Sequence, residues 1–322
     1  MLYPDDFIEK QFLFLSPIEG EKLSFKNDNV MVLDHDGKVK HQSTCYRLLA
    51  IFIIGHLSLT TGLIERAKKF GFAIVLMTST FRLYQVISST AEANVKLRKR
   101  QYQYQGLECA KILIANKIAN QRSLLASIRK KSPQQQQAKC LIDEYSASLH
   151  QAETLRQLMG VEGNAARVYF KAFFDNVDWK GRTPRIKPDM VNAALDIGYT
   201  LLFNFVDVLL AIFGFDRYCG FCHTQFYMRK SLTCDVVEPF RCIIDKQVKK
   251  SINLGQITEE DFEVKDGKWL LKRDSNKEYV KIFVSAILKH KKQIYLYVRE
   301  LYRAFMKGNY DQKFPVWFWE EL

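Results

Sequence analysis

The 322-residue sequence predicts an α+β protein: a small N-terminal β-sheet domain over residues 1–88, followed by a larger, mostly α-helical domain over residues 89–322. Three observations predict it. Apolar and polar residues alternate along much of the first eighty positions, which is the period of a half-buried strand. After Ser88-Ser-Thr90 the apolar spacing becomes helical. Charge divides near the same place: residues 1–94 hold ten Lys/Arg and ten Asp/Glu, whereas residues 95–322 hold 38 and 25 and carry the whole net charge of +13. A neutral assembly or dimerisation domain followed by one that meets a polyanion is the organisation this implies. Hydrophobic content of 48%, with 13% aromatics, excludes wholesale disorder.

Taken in order, Phe12-Leu-Phe-Leu-Ser16, Lys22-Leu-Ser-Phe-Lys26 and Asn29-Val-Met-Val-Leu33 read as strands. Asp34-His-Asp-Gly37 reads as a hairpin turn into Lys38-Val-Lys-His41. Leu48 to Ile54 is continuously apolar, the mark of a buried strand. Ser58 to Phe70 places Leu59, Leu63, Ala67 and Phe70 on one helical face and stops at Gly71, before a second buried strand at Ala73-Ile-Val-Leu-Met77. In the second half, helical spacing runs from Glu92 to Lys130 and breaks at Lys131-Ser-Pro-Gln. A further helix is expected from Ala138 to Met159, a turn over Gly160–Gly163, and a helix from Asn164 to Phe174. Asp189 caps a long apolar helix ending at Phe213 before Gly214, a loop from Asp216 to Lys230 follows, and a helix starts near Asp235. The tail is helical and basic from Tyr279 to Phe305, then aromatic at Phe314-Pro-Val-Trp-Phe-Trp319, where core packing is the expectation.

No basic n-region precedes an apolar run at the start, and the apolar stretches Leu48–Ile64 and Leu201–Phe215 are interrupted or short for a span, so a cytoplasmic protein without a membrane association is expected. The seven cysteines are then expected to be reduced. Cys219-Gly-Phe-Cys222-His223 matches a haem c attachment pattern, but that chemistry needs export. Cys219, Cys222, Cys234 and Cys242 also allow a zinc quartet, although only the first spacing resembles a knuckle.

The residues that carry chemistry are Glu162 in Gly160-Val-Glu-Gly163, His223 in Gly220-Phe-Cys-His223, and Asp235 with Glu238 in Asp-Val-Val-Glu. Each has an ordinary structural role open to it: a glutamate at a helix start, a lone histidine, a capping box. Together they supply hard oxygen donors and one imidazole, a set that suits Mg²⁺ or Mn²⁺ better than zinc.

The blocks Glu162-Gly-Asn-Ala-Ala-Arg-Val-Tyr-Phe170, Arg185 to Leu202, Gly220-Phe-Cys-His223 and Ser231-Leu-x-x-Asp235-x-x-Glu238-x-Phe-Arg241 follow one another as they do in the family of CRISPR-associated protein one. Gly55-His-Leu-Ser-Leu-Thr-Thr61 before Gly71-Phe-Ala-Ile-Val-Leu76 is similar too, so the resemblance spans essentially the whole chain. It implies a prokaryotic integrase of spacer acquisition, a divalent-metal-dependent DNA endonuclease that transfers prespacer 3′ ends into a CRISPR repeat beside its leader. It also implies a two-fold homodimer, two such dimers bridged by a small companion adaptation protein, and Glu162, His223 and Glu238 as metal ligands. Asp235 matches an acidic position needed for activity in some members. Two roles are open to His223, ligand or proton donor to the leaving 3′ oxygen, and ligand is the one adopted. Lys96, Arg98, Lys99, Arg100 and Tyr102, with Arg182, Arg185, Arg229, Lys230, Arg241 and Lys249, are the candidates for DNA contact; the ordinary alternative is a solvated helix face. A catalytically silent DNA-binding scaffold and a zinc-stabilised nucleic-acid-binding module are the competing readings.

Overall fold

The computed structural model describes residues 9–17, 20–79, 83–87, 94–177, 179, 181–184, 186–223, 226–310 and 312–319. The expected class holds, with a sheet-rich N-terminal region preceding a mostly helical one. Contacts divide the chain into two compact units, one of residues 1–98 with 207–215 and the other of residues 99–206 with 216–322. The expected boundary between residues 88 and 89 lies outside the described residues.

The first unit is built on two sheets. Strands β1 (Gln11–Leu15), β5 (Leu48–Ile54), β6 (Ala73–Met77) and β7 (Leu83–Ile87) form a mixed sheet in the order β1-β5-β6-β7, parallel except for β7. Strands β2 (Lys22–Lys26), β3 (Asn29–Leu33) and β4 (Val39–Thr44) form an antiparallel meander. Every residue of β5 is buried, as a strand flanked by two parallel or mixed partners requires. Asn27 and Asp28 turn β2 into β3 with both φ values positive, a conformation that asparagine and aspartate tolerate best after glycine. Asp34 Oδ1 accepts the Asp36 and Lys38 N–H groups in the next hairpin, as its sequence predicts. Helix α1 (Thr61–Phe70) buries Leu63 and Ala67 and ends at Gly71, whose φ is +73°. Leu13, Val30, Leu48, Ile51, Ile53, Leu63 and Phe72 make the shared core of the two sheets and α1. Strand β7 was not among the expected elements; of its five residues only Val86 is buried, so burial left little periodic signal.

The second unit contains α2 (Val95–Gln103), most of which belongs to it, α3 (Glu108–Ala126), α4 (Pro133–Ser148) and α5 (Leu155–Phe173). The single helix expected over Glu92–Lys130 is interrupted at residues 104–107. Tyr104 turns its ring onto Phe221, Phe305 and Tyr310, and its hydroxyl accepts the Cys109 N–H at the start of α3. A larger correction concerns Gly160–Gly163. It is not a turn: both glycines lie inside α5, with the chain break at residues 149–154 instead. Two capping boxes explain the boundaries. Ser132 exchanges hydrogen bonds with Gln135 at the start of α4, and Thr154 with Gln157 at the start of α5. Helix α6 (Met190–Phe213) starts as expected, with Asp189 Oδ1 accepting the Asn192 N–H at 2.7 Å. It is long and apolar enough to cross a membrane, but 72% of its apolar window is buried inside the protein.

Helix α7 (Ser231–Val237) begins four residues before the expected start and runs through a 3₁₀ turn, Glu238–Phe240, into α8 (Arg241–Asn253). A short hairpin, β8 (Phe262–Lys265) with β9 (Lys268–Leu271), was not anticipated. The expected Tyr279–Phe305 helix is two, α9 (Asn276–Lys289) and α10 (Lys291–Lys307), hinged at His290. The C-terminal aromatic segment is strapped onto α3. Asn116 and Asn120 donate to the Trp317 carbonyl and accept the Trp317 and Trp319 N–H groups, while His290 packs against both indoles.

Two outcomes test this packing. Gly198 of α6 lets α8 and α9 approach: a Cβ there would sit 2.4 Å from Ile244 Cγ2 and 3.1 Å from the Phe283 ring, both fully buried. Gly198→Ala is expected to cost about 1–3 kcal/mol in denaturant unfolding. Burial, with Lys246 and Lys289 nearby, depresses the His290 imidazole to about 4. Its contribution is therefore present above its unfolded value and lost as pH falls through about 4. Wild type should lose melting temperature relative to His290→Gln between pH 6.5 and 4.

Candidate metal and phosphodiester site

Glu162 sits mid-way along α5, not at a helix mouth, and its side chain is 18% exposed. Glu238 opens the 3₁₀ turn after α7, with its side chain 9% exposed. Between them lies Lys117 of α3. Its ammonium donates a hydrogen bond to Glu162 Oε1 and lies 2.5 Å from Glu238 Oε2. Arg241 Nε reaches Glu238 Oε2 from one turn on, at 3.0 Å. Burial opposes charge on Glu238, but the Arg241 and Lys117 cations outweigh it and hold the carboxyl down at about 2. Burial likewise works against the Lys117 ammonium, and the Glu238 and Glu162 carboxylates more than reverse it, raising its pKa. Both groups are ionised, and each is the other's reason.

His223 is placed by Asp235. The Asp235 side chain is wholly buried and is not an N-cap; it lies inside α7 and gathers the loop above it. Its Oδ2 accepts the Phe221 and Cys222 N–H groups, and its Oδ1 accepts the His223 N–H at 3.0 Å and faces His223 Nδ1 at 2.6 Å. With Nδ1 engaged by that carboxylate, Nε2 is the ring nitrogen that Asp235 does not engage, the arrangement that metal-binding histidines use. Asp235 is thus a positioning residue. Gly220 makes the loop possible, since a Cβ there would stand 2.6 Å from Asp235 Oδ2 and 2.7 Å from the Ser231 carbonyl carbon. Phe221 anchors the same loop by stacking on Phe305.

Behind Glu238 is a layer that sequence reasoning missed. Tyr169 and Tyr199 both donate to the buried carboxylate of Asp245, which burial raises to about 6 despite those bonds. The Arg241 guanidinium lies over the Tyr199 ring at 4.5 Å. Asn120 also donates to the Pro239 carbonyl, tying the Glu238 turn to α3. Asn116, Lys117, Asn120 and Gln121 form two polar pairs one helical turn apart along α3, and that was the available signal.

Among the described residues no three His, Cys, Asp or Glu side chains are already gathered into a ligand set. The zinc quartet is accordingly not assembled: the Cys219, Cys222 and Cys242 thiols are buried and turn to the carbonyls of Gln101, Ala110 and Pro239. The two glutamates nevertheless fit a cation. They already share one, and the buried Glu238 Oε2 accepts no well-aligned hydrogen bond, only close cations.

The basic candidates divide. Lys96 and Lys99 are exposed on α2. Arg98 donates to the Gly214 carbonyl and Arg100 to that of Phe305. Tyr102 donates to Asp216. Arg182 holds Asn192 and Asp196, Lys249 donates to the Phe173 carbonyl, and Arg241 is committed to Glu238. Arg229 and Lys230 are half-buried, and Arg185 lies outside the described residues.

A family model described as CRISPR associated protein Cas1 matches residues 18–284. The chain is 29% identical over 251 residues to "CRISPR-associated endonuclease Cas1 1" of Thermodesulfovibrio yellowstonii, covering 73% of this chain and 79% of the relative. It is 31% identical over 202 residues to "CRISPR-associated endonuclease Cas1" of Leptospira interrogans, covering 58% and 80%. Its fold is similar to a Cas1 protein from Thermotoga maritima, with TM-score 0.77, 18% identity and coverage of 97% and 100%. It is also similar to a casposase bound to integration product, at TM-score 0.76, 22% identity and coverage of 92% and 91%. A chain of a "Cas6-RT-Cas1--Cas2 complex" matches at TM-score 0.80 and 23% identity, where 97% of this chain covers 36% of the longer one.

Asp235→Asn is expected to lower metal affinity or activity by about 10–100-fold, as loss of a histidine's orienting carboxylate does elsewhere. Measured in parallel, Gly220→Ala should reproduce that loss, because the added methyl collides with the same carboxylate.

Proposed function

The chain belongs to the Cas1 family of CRISPR-associated proteins, and from that premise we propose that it is a divalent-metal-dependent DNA endonuclease and integrase. It joins the 3′ ends of short prespacer DNA into a CRISPR repeat, using Mg²⁺ or Mn²⁺. One observation carries the reading: carboxylates from two separate elements, α5 and the turn after α7, converge on one buried cationic position. The Nδ1 of His223, the third predicted donor, is meanwhile engaged so that Nε2 is left for a ligand.

Glu162 and Glu238 would hold the ion through oxygen, and His223 through Nε2. A divalent cation so bound supplies Lewis acidity to the scissile phosphate and neutralises charge developing on its oxygens. A DNA 3′-hydroxyl attacks phosphorus, a new phosphodiester forms, and the displaced 3′ oxygen of the repeat leaves with the proton. The number of phosphodiesters is unchanged, so no nucleotide is consumed. Water in place of the hydroxyl gives cleavage. Gly160 and Gly163, with nothing within 4 Å of a Cβ built on either, leave α5 slender beside Glu162, which suits close approach of a sugar-phosphate backbone.

The partners follow from the family reading: prespacer duplex, repeat and leader DNA, a second copy of the chain, and a small companion protein bridging two dimers. Solved neighbours named "Cas6-RT-Cas1--Cas2 complex" and "TtCas1-DNA complex" support such partners. Exposed Lys96 and Lys99 are the phosphate-contacting residues of first choice.

Joining of labelled duplex with free 3′-hydroxyls into a plasmid carrying a CRISPR repeat tests the reading. Wild type should give joined product with Mg²⁺ or Mn²⁺ and none with EDTA. Glu162→Gln and His223→Ala should reduce product on the order of 100-fold or more with DNA binding retained, since phosphate neutralisation dominates affinity. Metal-independent joining, or full activity in either variant, would refute it.

A further inference from the structure

Lys117 has no part in the strand-transfer chemistry as set out, yet it is the most tightly held lysine of the site. Its side chain is 11% exposed, it leaves α3 within reach of both carboxylates, and it touches Glu162 and Glu238 together. Two carboxylates facing one position, Glu238 buried and Glu162 half-buried, repel each other and are costly to desolvate without a counter-charge. With Lys117 and Arg241 present the four groups are formally neutral. A divalent cation brought to the same oxygens would leave an ammonium and a dication competing for one space at a few ångströms, where like charges repel strongly.

One of the two resident cations must therefore yield, and the structure distinguishes them. Arg241 is braced over the Tyr199 ring, with Tyr199 fixed in turn by Asp245. Lys117 is a point charge on a flexible four-carbon stem. We propose that Lys117 is a resident counter-ion of the site: it holds Glu162 and Glu238 together in the metal-free protein and is exchanged for the divalent cation on loading, so that it sets the affinity for metal. This rests on the metal reading given under Proposed function and assigns to Lys117 a role that reading does not contain.

The test is calorimetric titration of MnCl₂ into metal-stripped full-length protein, wild type against Lys117→Met, with melting temperatures in EDTA and in saturating Mn²⁺. Lys117→Met should bind Mn²⁺ about tenfold more tightly or better, since a competing charge at contact distance has been removed. It should melt below wild type in EDTA, with the gap closing on addition of Mn²⁺. Equal or weaker binding by the variant, where wild type binds Mn²⁺ and joins DNA, overturns the exchange and leaves the integrase reading standing. Absence of Mn²⁺ binding by both proteins overturns the two together. Acetic anhydride labelling of wild type, read at Lys117 by peptide mass spectrometry, tests the same exchange without a substitution. Labelling should be slow in EDTA and accelerate with Mn²⁺, and labelling that bound Mn²⁺ leaves unchanged overturns the proposal.

Discussion

Two glutamates from different parts of the chain, one buried and one half-buried, close on one lysine, and the architecture around the site is organised to make that tolerable. Separated from counter-charge, a buried carboxylate would protonate or drag its element toward solvent. Here Lys117 meets both carboxylates and Arg241 meets one, so Glu238 stays ionised despite its burial. The ionic cluster joins α3, α5 and the turn after α7. Any sequence change that moves one of those elements leaves a buried charge short of its partner, which is costly because little water is there to replace it.

Helix α3 is the common strut. It supplies Lys117 to the carboxylates, Asn120 to the Pro239 carbonyl beside Glu238, and Asn116 with Asn120 to the backbone of the C-terminal strap. The strap's Trp317 packs on Phe240, which closes the 3₁₀ turn from the other side. His223 is fixed independently, by Asp235 within α7 and by the Phe221 ring in an aromatic cluster with Tyr104 and Phe305. Glu162 on a helix, Glu238 on a turn and His223 on a loop thus each have a second layer of hydrogen bonds or ring contacts behind them.

Much of this was legible in the sequence, for identifiable reasons. Strands β1 to β3 announced themselves by alternating apolar and polar residues, β4 by the turn signal before it, and β5 and β6 by continuous apolar runs. Strand β7 and the β8–β9 hairpin bury only Val86 and Phe262 and left no such trace. Two glycines suggested a turn around Glu162, yet they lie within α5, because the Thr154–Gln157 capping box sets the helix start upstream and tertiary packing outweighs their poor propensity. Glu162, His223 and Glu238 were found as residue types in a recognisable order. What linear order cannot express is that Lys117, 45 residues before Glu162, is the group that brings the glutamates to one point. Asp235 was read as part of an acidic pair, while its buried carboxylate belongs with the histidine loop instead. Five of the ten cations expected at DNA, Arg98, Arg100, Arg182, Arg241 and Lys249, are half-buried and engage carbonyls or carboxylates of the protein itself.

The central claim is that Glu162, Glu238 and His223 form a single divalent-cation site at the position Lys117 holds. Anomalous diffraction from crystals grown with MnCl₂ tests it most directly. The account predicts one strong manganese peak within coordination distance of an oxygen of Glu162, an oxygen of Glu238 and Nε2 of His223, with the Lys117 ammonium withdrawn from both carboxylates. Manganese bound elsewhere, or Lys117 still bridging the two glutamates in a manganese-saturated crystal, would contradict it.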